Sequence, residues 1–494
     1  MPESAELHTP ESKRRAKLTR APGLGIRAGL LVGLSAGLLA GLLACDAPGQ
    51  DPRPNVVLIV LDTTRADILS AYGYPKPTSP NLAKIAEEGV LFRQAMSTDF
   101  WTLPAHASLF TGQYPTRHQA TSETNRLDDR VTTLAEYLNE AGYRTRAYVS
   151  NAWIGAERGF GQGFETYVET WQSAPGDYES DRAAIAGARD WVEARAKKDE
   201  PFFLFLNLNS AHMPYSPDVS TLVELSPQPM PIERTRKLRR IKGMWAHLGG
   251  EYALEDLDFE ILENLYAAEV AMVDQLVGKL IRTLETSEVL DETLLIVTAD
   301  HGENLGEHGM VDHLLSMYDT TIRIPLILRH PGTFPAGEER DELVSLVDLV
   351  PTVLEICGLK RDADEFAGRS LASAEPPGHE FVVAENGRPI NGIDLMRKSF
   401  PDFDTQSIDH RMKMLRTRQH KLIWYDDDRI ELYDLAADPG ETHDLAEENP
   451  ELARELLQKL EDWADTQGTP IQTKPLEITD PATQERLRAL GYIE

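Results

Sequence analysis

From Asn55 to Leu61 the chain reads Asn-Val-Val-Leu-Ile-Val-Leu, and Asp62 closes the run. An unbroken apolar stretch rich in β-branched residues has no polar face to turn to water, so it suits a strand buried on both sides of a parallel sheet. Tyr143 to Ser150, Phe202 to Leu208, Leu294 to Thr298 and Ile324 to Arg329 have the same character. Helical stretches separate them, among them Pro80 to Glu88, Leu134 to Ala141, Ala183 to Lys197 and Ile261 to Glu285. This alternation predicts an α/β fold: a mostly parallel central sheet with helices on both faces. Such sheets bind ligands beyond the carboxyl ends of their strands. Asp62 and the Asp300-His301 pair each follow a strand directly, so both are expected on that edge despite their distance in sequence.

Past about Pro376 the character changes. Short strand-like pieces (Met412 to Thr417, Lys421 to Tyr425, Ile430 to Tyr433) precede a helix over Pro450 to Thr466. They predict a small C-terminal antiparallel-sheet-and-helix subdomain, 376–494, after a catalytic domain, 55–375. At the other end, Lys13, Arg14, Arg15, Lys17, Arg20 and Arg27 lead into an apolar run, Ala28 to Ala44, that stops at Cys45. This reads as a lipoprotein-type signal peptide, 1–44, with Cys45 lipidated and 45–54 a tether. A short transmembrane anchor is the alternative, since the run only just reaches across a bilayer. Either reading puts the body in the cell envelope, outside the cytoplasm and anchored to membrane. With Cys45 lipidated, Cys357 has no disulfide partner.

The chain carries 50 Lys and Arg against 80 Asp and Glu, a net charge of −30 spread along its length. That balance argues against nucleic acid as a partner, and it makes any anionic substrate depend on a local positive site. Asp300 beside His301 offers oxygen and nitrogen ligands that suit Zn²⁺ or Mn²⁺ readily and Mg²⁺ or Ca²⁺ less well. Asp62 alone reads equally as a ligand or as the cap of the next helix. Thr102 opens a short helix, where its hydroxyl sits over unpaired N–H groups. The simple reading is an N-cap; with a metal bound nearby, the same hydroxyl becomes a competent nucleophile. His106, one turn later, is expected on the same side.

Phe100-Trp101-Thr102-Leu103-Pro104-Ala105-His106-Ala107-Ser108-Leu109-Phe110-Thr111-Gly112 resembles the nucleophile segment of sulfatases, C-x-P-S-R followed by T-G. Thr102 stands in place of the Cys that becomes formylglycine, Ala105 in place of Ser and His106 in place of Arg. Asp300-His301-Gly302-Glu303 with Leu305-Gly306-Glu307-His308-Gly309 resembles the D-[NH]-G-x-x-L-G-x-H-G block of sulfatases and other members of the alkaline phosphatase superfamily. Its Asp-His form resembles phosphonate and phosphodiester hydrolases. Asn209 to Tyr215 is similar to the family's H-x-P-Y segment, whose His contacts the transferred group or protonates the leaving group. His313 stands where family members have Lys. Arg416 to Ile423, Glu431 to Glu441 and the tail Leu487 to Tyr492 are similar to C-terminal stretches of bacterial members.

The resemblance implies one divalent metal ion held by Asp62, Thr102, Asp300 and His301, its identity (Ca, Mn, Zn or Mg) open. Thr102, His106 and His212 are then catalytic, His212 and His313 contact substrate, and no formylglycine is expected. The implied activity is hydrolysis of a sulfuric or phosphoric ester, the substrate a small anionic ester or a glycan or lipid headgroup. Formylglycine expels sulfate by elimination from a gem-diol, a route closed to a threonine ester, whereas a phosphothreonine can be opened by attack at phosphorus. Phosphate mono- or diesters and phosphonates are therefore favoured over sulfates. A phosphoethanolamine-type transferase acting on envelope glycan or lipid, and an inactive ligand-binding homologue, are the competing expectations.

Overall fold

The computed structural model describes residues 53–489 apart from 175, 227, 314 and 373–377. The expected signal peptide, Cys45 and nearly all of the tether lie outside the described residues, as does the end of the tail from Leu490. In chain order the strands of the main sheet are β1 (Asn55–Leu61), β2 (Val90–Met96), β3 (Arg144–Val149), β4 (Thr166–Glu169), β5 (Phe202–Leu208) and β6 (Thr293–Thr298). A two-residue pair, β7 (Asn304–Leu305) and β8 (Val311–Asp312), precedes β9 (Arg323–Arg329) and β10 (Glu338–Ser345). The eight-stranded sheet has the order β10-β2-β9-β6-β1-β5-β3-β4. It is mostly parallel, as expected, with β9 antiparallel to both β2 and β6.

β1 sits inside this sheet, paired with β5 on one side and β6 on the other. Its side chains alternate between two cores: Val56, Leu58 and Val60 in one, Val57, Ile59 and Leu61 in the other. The second core is covered by the helices Pro80–Glu87, Asp177–Arg195 and Asp256–Thr286, and the first by Thr102–Thr111, Leu134–Glu140 and Leu349–Ile356. Three strands of the main sheet were not foreseen, β2, β4 and β10. Arg93 and Gln94 interrupt the apolar run of β2 where its register against β9 slips, and β10 is an edge strand whose charged Glu338, Glu339, Arg340, Asp341 and Glu342 hide it among loops. Among the described residues no helix is long and apolar enough to cross a membrane.

The C-terminal antiparallel sheet is β11 (Val382–Asn386), β12 (Met412–Arg416), β13 (His420–Tyr425) and β14 (Ile430–Asp434), in that order. Val383, Leu415, Leu422 and Leu432 pack against Ala453, Leu456 and Leu460 of the helix Pro450–Thr466. The other link is ionic. Lys421, fully buried, lies 2.6 Å from Asp319 and 2.7 Å from Glu441, and Arg416 lies 3.2 Å from Asp319. Asp319 begins the turn that follows His313, so the two C-terminal motifs brace the loop that leaves the strand edge.

Candidate active site

Neighbouring parallel strands explain the convergence of residues that the sequence keeps far apart. Asp62 follows β1, Asp300 lies just beyond β6, Asn207 is within β5 with Asn209 and His212 after it, and Asn151 follows β3. These strands end at one edge, and all six side chains are buried.

Asp62 Oδ2 accepts hydrogen bonds from the Asn151 and Asn207 side-chain amides, each at 2.9 Å. Asp300 Oδ1 accepts the backbone N–H of Thr63 at 3.1 Å and of His301 at 2.9 Å. The donation from Thr63 is bound up with an unusual backbone. Thr63 has φ 54, a left-handed conformation uncommon for a β-branched residue, and Tyr266 fixes it by donating its hydroxyl to the Thr63 carbonyl at 2.7 Å. The second oxygens, Asp62 Oδ1 and Asp300 Oδ2, have no hydrogen-bond donor although both residues are fully buried. Burial raises Asp62 to about 6 against the pull of the two amides; burial and then the charge of Asp62 push Asp300 well above the usual carboxylate range.

His301 donates its Nδ1–H to the Gly302 carbonyl at 3.0 Å, which leaves the Nε2 lone pair turned toward Asp300 Oδ2 at 3.4 Å. Burial holds this imidazole neutral, well below its ordinary value. Gly302 allows the segment to lie this close, since a Cβ there would meet the Thr320 carbonyl at 2.0 Å. One ligand atom each from Asp62, Asp300 and His301 fall within 4.8 Å of one another. Two buried carboxylate oxygens without donors and one imidazole lone pair fit a divalent cation, which would compensate the negative charge gathered there.

Thr102 is the first residue of the helix Thr102–Thr111, and Trp101 occupies the cap. The hydroxyl does no capping; its partner is His301 Nε2, at 3.3 Å. Asp99 fixes the helix start by accepting the Trp101 N–H at 3.0 Å and the Asn386 amide of β11 at 2.7 Å. His106 does lie on the Thr102 side, but its Nδ1 donates to the Thr102 backbone carbonyl at 2.9 Å and stands 3.4 Å from Asp300 Oδ2. These contacts hold the helix end against the carboxylate, and burial lowers the ring to about 4, so it is uncharged at neutral pH.

His212 and His313 face each other with ring centroids 5.0 Å apart, and His313 lies 4.6 Å from the ring of His301. The two differ in charge. Burial lowers His212 to about 3, and its Nδ1–H is spent on the Met213 carbonyl at 2.6 Å. Burial also pushes His313 down, but Asp312 at 3.0 Å and Glu303 at 3.6 Å outweigh it and hold the ring well above its ordinary value. Glu303, Asp312 and His313 are close enough to be a second ligand group. Asp312, however, already accepts the Trp245 indole N–H at 2.7 Å on Oδ2 and the His313 N–H at 2.6 Å on Oδ1. The group therefore acts as a cage for an imidazolium. Asn151, Asn207, Glu303 and Asp312 were not picked out from the sequence, because a lone Asn near the end of a strand carries no spacing signal and Glu303 meets Asp312 and His313 only through the β7–β8 pair.

A pH prediction follows from the carboxylates. Asp62 ionises near 3.8 when exposed and near 6 when buried, so between those values the folded, metal-free protein binds the extra proton and stability falls as pH rises. The Asp62 contribution, read as the melting point of the wild type minus that of Asp62→Asn in chelator, should therefore decline from about pH 4 through about pH 6, while the buried neutral histidines shift both proteins alike. Added Mn²⁺ should raise the midpoint more at pH 8 than at pH 5, and equal increments at both pH values would contradict the assignment.

The family model described as Sulfatase matches residues 54–359, and one described as N-sulphoglucosamine sulphohydrolase, C-terminal, matches 306–466. The uncharacterized sulfatase YidJ of Escherichia coli K12 is 26% identical over 437 residues, covering 80% of this chain and 84% of that protein. The N-acetylglucosamine-6-O-sulfatase of Bacteroides thetaiotaomicron is 25% identical over 495 residues, covering 83% and 86%. The crystal structure of the phosphonate monoester hydrolase of Agrobacterium radiobacter superposes with a TM-score of 0.68 at 21% identity, covering 87% of this chain and all of that one. With the greater part of its length matched by the family model, the chain belongs to the sulfatases and is an ester hydrolase of that family.

Proposed function

We propose that the chain hydrolyses phosphate or phosphonate esters in preference to sulfate esters, through a transient ester on Thr102. The observation that carries this reading is the Thr102 hydroxyl, buried at a helix N-terminus and 3.3 Å from His301 Nε2, beside two carboxylates whose remaining oxygens have no donor. A divalent cation held by Asp62, Asp300, His301 and the Thr102 oxygen would supply the positive charge that favours the alkoxide. Thr102 Oγ1 then forms an O–P bond in line with the departing alcohol, and water later attacks phosphorus and frees Thr102. The Cβ of threonine carries one hydroxyl, a methyl group and a hydrogen, so an ester on Thr102 lacks the second hydroxyl of a gem-diol, and the elimination route of the family is closed.

The histidines divide the remaining work. His313, held as an imidazolium by Asp312 and Glu303, opposes negative charge that develops on the transferred group. His212 rests neutral beside His313, which suits it to contact the transferred group, one of the roles that the H-x-P-Y resemblance implies. The basic and apolar run ending at Cys45 supports a lipid-anchored body in the cell envelope.

The test is a panel assayed on the full chain: p-nitrophenyl sulfate, p-nitrophenyl phosphate, bis-p-nitrophenyl phosphate and p-nitrophenyl phenylphosphonate, each with Mn²⁺, Zn²⁺, Ca²⁺ or Mg²⁺. One phosphorus ester should exceed the sulfate in kcat/KM by at least about 100-fold. A preference for sulfate that survives Thr102→Ala would overturn the reading.

A further inference from the structure

The C-terminal helix Pro481–Ala489 reaches the active site from the opposite end of the chain. It is seated by Leu487, fully buried in the core that contains Trp153 and Trp171, and by Thr483, whose hydroxyl lies 3.4 Å from Glu157. Between these anchors and on the same helix, Arg486 ion-pairs with Asp177, the first residue of the helix Asp177–Arg195. Asp177 Oδ1 accepts the Asn209 side-chain amide at 2.7 Å, and Asn209 Oδ1 accepts the Asn151 amide at 3.1 Å. The same Asn151 nitrogen donates to Asp62 Oδ2 at 2.9 Å.

The polarity of this chain is forced. An amide that turns its nitrogen toward one carboxylate must present its oxygen to a donor on the other side. Asn209 can offer its oxygen to Asn151 only while its own nitrogen has Asp177 to donate to. Asn209 is also pinned through its backbone N–H to Asp181 at 2.8 Å, so the side chain, not the loop, is what Asp177 orients. Asn151, whose Oδ1 accepts the Trp153 N–H at 2.9 Å, spends one N–H on Asn209 and the other on Asp62, and with Asn207, which donates to the same oxygen, it sets which Asp62 oxygen is engaged and which is left without a donor.

We infer that Arg486 is a positioning residue for Asp62: the C-terminal helix closes an Arg486–Asp177–Asn209–Asn151 network that aims the second oxygen of Asp62 at the cation. This rests on the reading of Asp62 as a metal ligand. Residues that orient ligands in this way are typically worth about 10- to 100-fold in metal affinity.

Mn²⁺ binding to the full chain, measured by isothermal titration calorimetry, needs no substrate and so tests the network apart from catalysis. Arg486→Gln and Asp177→Ala should each weaken Mn²⁺ about tenfold, and the double variant no more than either alone, because both break one chain. Arg486→Lys should recover most of the affinity. Thr483→Val, which cuts the other anchor of the same helix, should bind like the wild type. Asp62→Asn is the reference. If it loses Mn²⁺ while Arg486→Gln and the double variant, folded by circular dichroism, bind normally, the network is refuted and the ligand assignment stands. If Asp62→Asn itself binds like the wild type, the ligand assignment fails and takes the network with it.

Discussion

Thr102→Ala should lower kcat on the preferred phosphorus ester by at least about 10⁴-fold while leaving the fold in place. The hydroxyl makes one side-chain contact, with His301 Nε2, and Asp99 rather than Thr102 fixes the start of the helix. The truncation removes a small buried group at a cost of about 1 kcal/mol, too little to unfold the chain. A residual rate should remain, because the histidines and the helix N-terminus still oppose charge on the transferred group. Thr102→Ser should retain turnover, since it keeps the nucleophile and loses only the methyl group. Acid quench during turnover, followed by peptide mass analysis, should find Thr102 phosphorylated in the wild type and unmodified in the alanine variant. A loss of less than tenfold would mean that water attacks the substrate directly and that the covalent step does not exist.

Why the residues of the acidic cluster were legible and their supports were not comes down to the range of the forces involved. β1 and β6 announce themselves because strands buried on both faces must be apolar throughout, and the residue that ends such a run is visible as a polar break. Asp62, Asp300 and His301 are therefore found by position. Which strands flank β1 is set by packing of helices over both faces, and no local pattern states that β3, β5 and β6 would bring Asn151, Asn207 and Glu303 to the same edge. Helical spacing put His106 beside Thr102 correctly, yet spacing does not say whether the ring meets the hydroxyl or the backbone carbonyl. The charge of His313 was also hidden: Asp312 is its neighbour in sequence, but Glu303 is brought beside it by the pairing of β7 with β8. The C-terminal motifs had no function that could be read locally. Lys421 and Arg416 act on Asp319, and Arg486 on Asp177, in contacts that exist only in three dimensions.

Asp300→Asn should separate stability from function more sharply than any other single change. Asp300 Oδ1 already accepts two backbone N–H groups, from Thr63 and His301, and an amide oxygen can accept both without moving. Oδ2 has no donor and lies 3.4 Å from His301 Nε2, whose lone pair faces it. An amide nitrogen in that position can donate to the lone pair, which replaces an uncompensated buried charge beside Asp62 by a hydrogen bond. In chelator the variant should be more stable than the wild type by about 1–3 kcal/mol, read from urea unfolding at neutral pH. Activity should fall by at least about 10³-fold, because an amide neither neutralises a cation nor binds one as a carboxylate does. Mn²⁺ should then reverse the order of stability: the wild type gains by mass action and the variant, with a crippled site, does not. The buried pair of carboxylates would thus be a cost that folding bears for catalysis, lowest in acid where both are protonated and highest where the enzyme works. If Asp300→Asn is less stable than the wild type without metal, its carboxylate is compensated within the protein, and the site is not built around a cation.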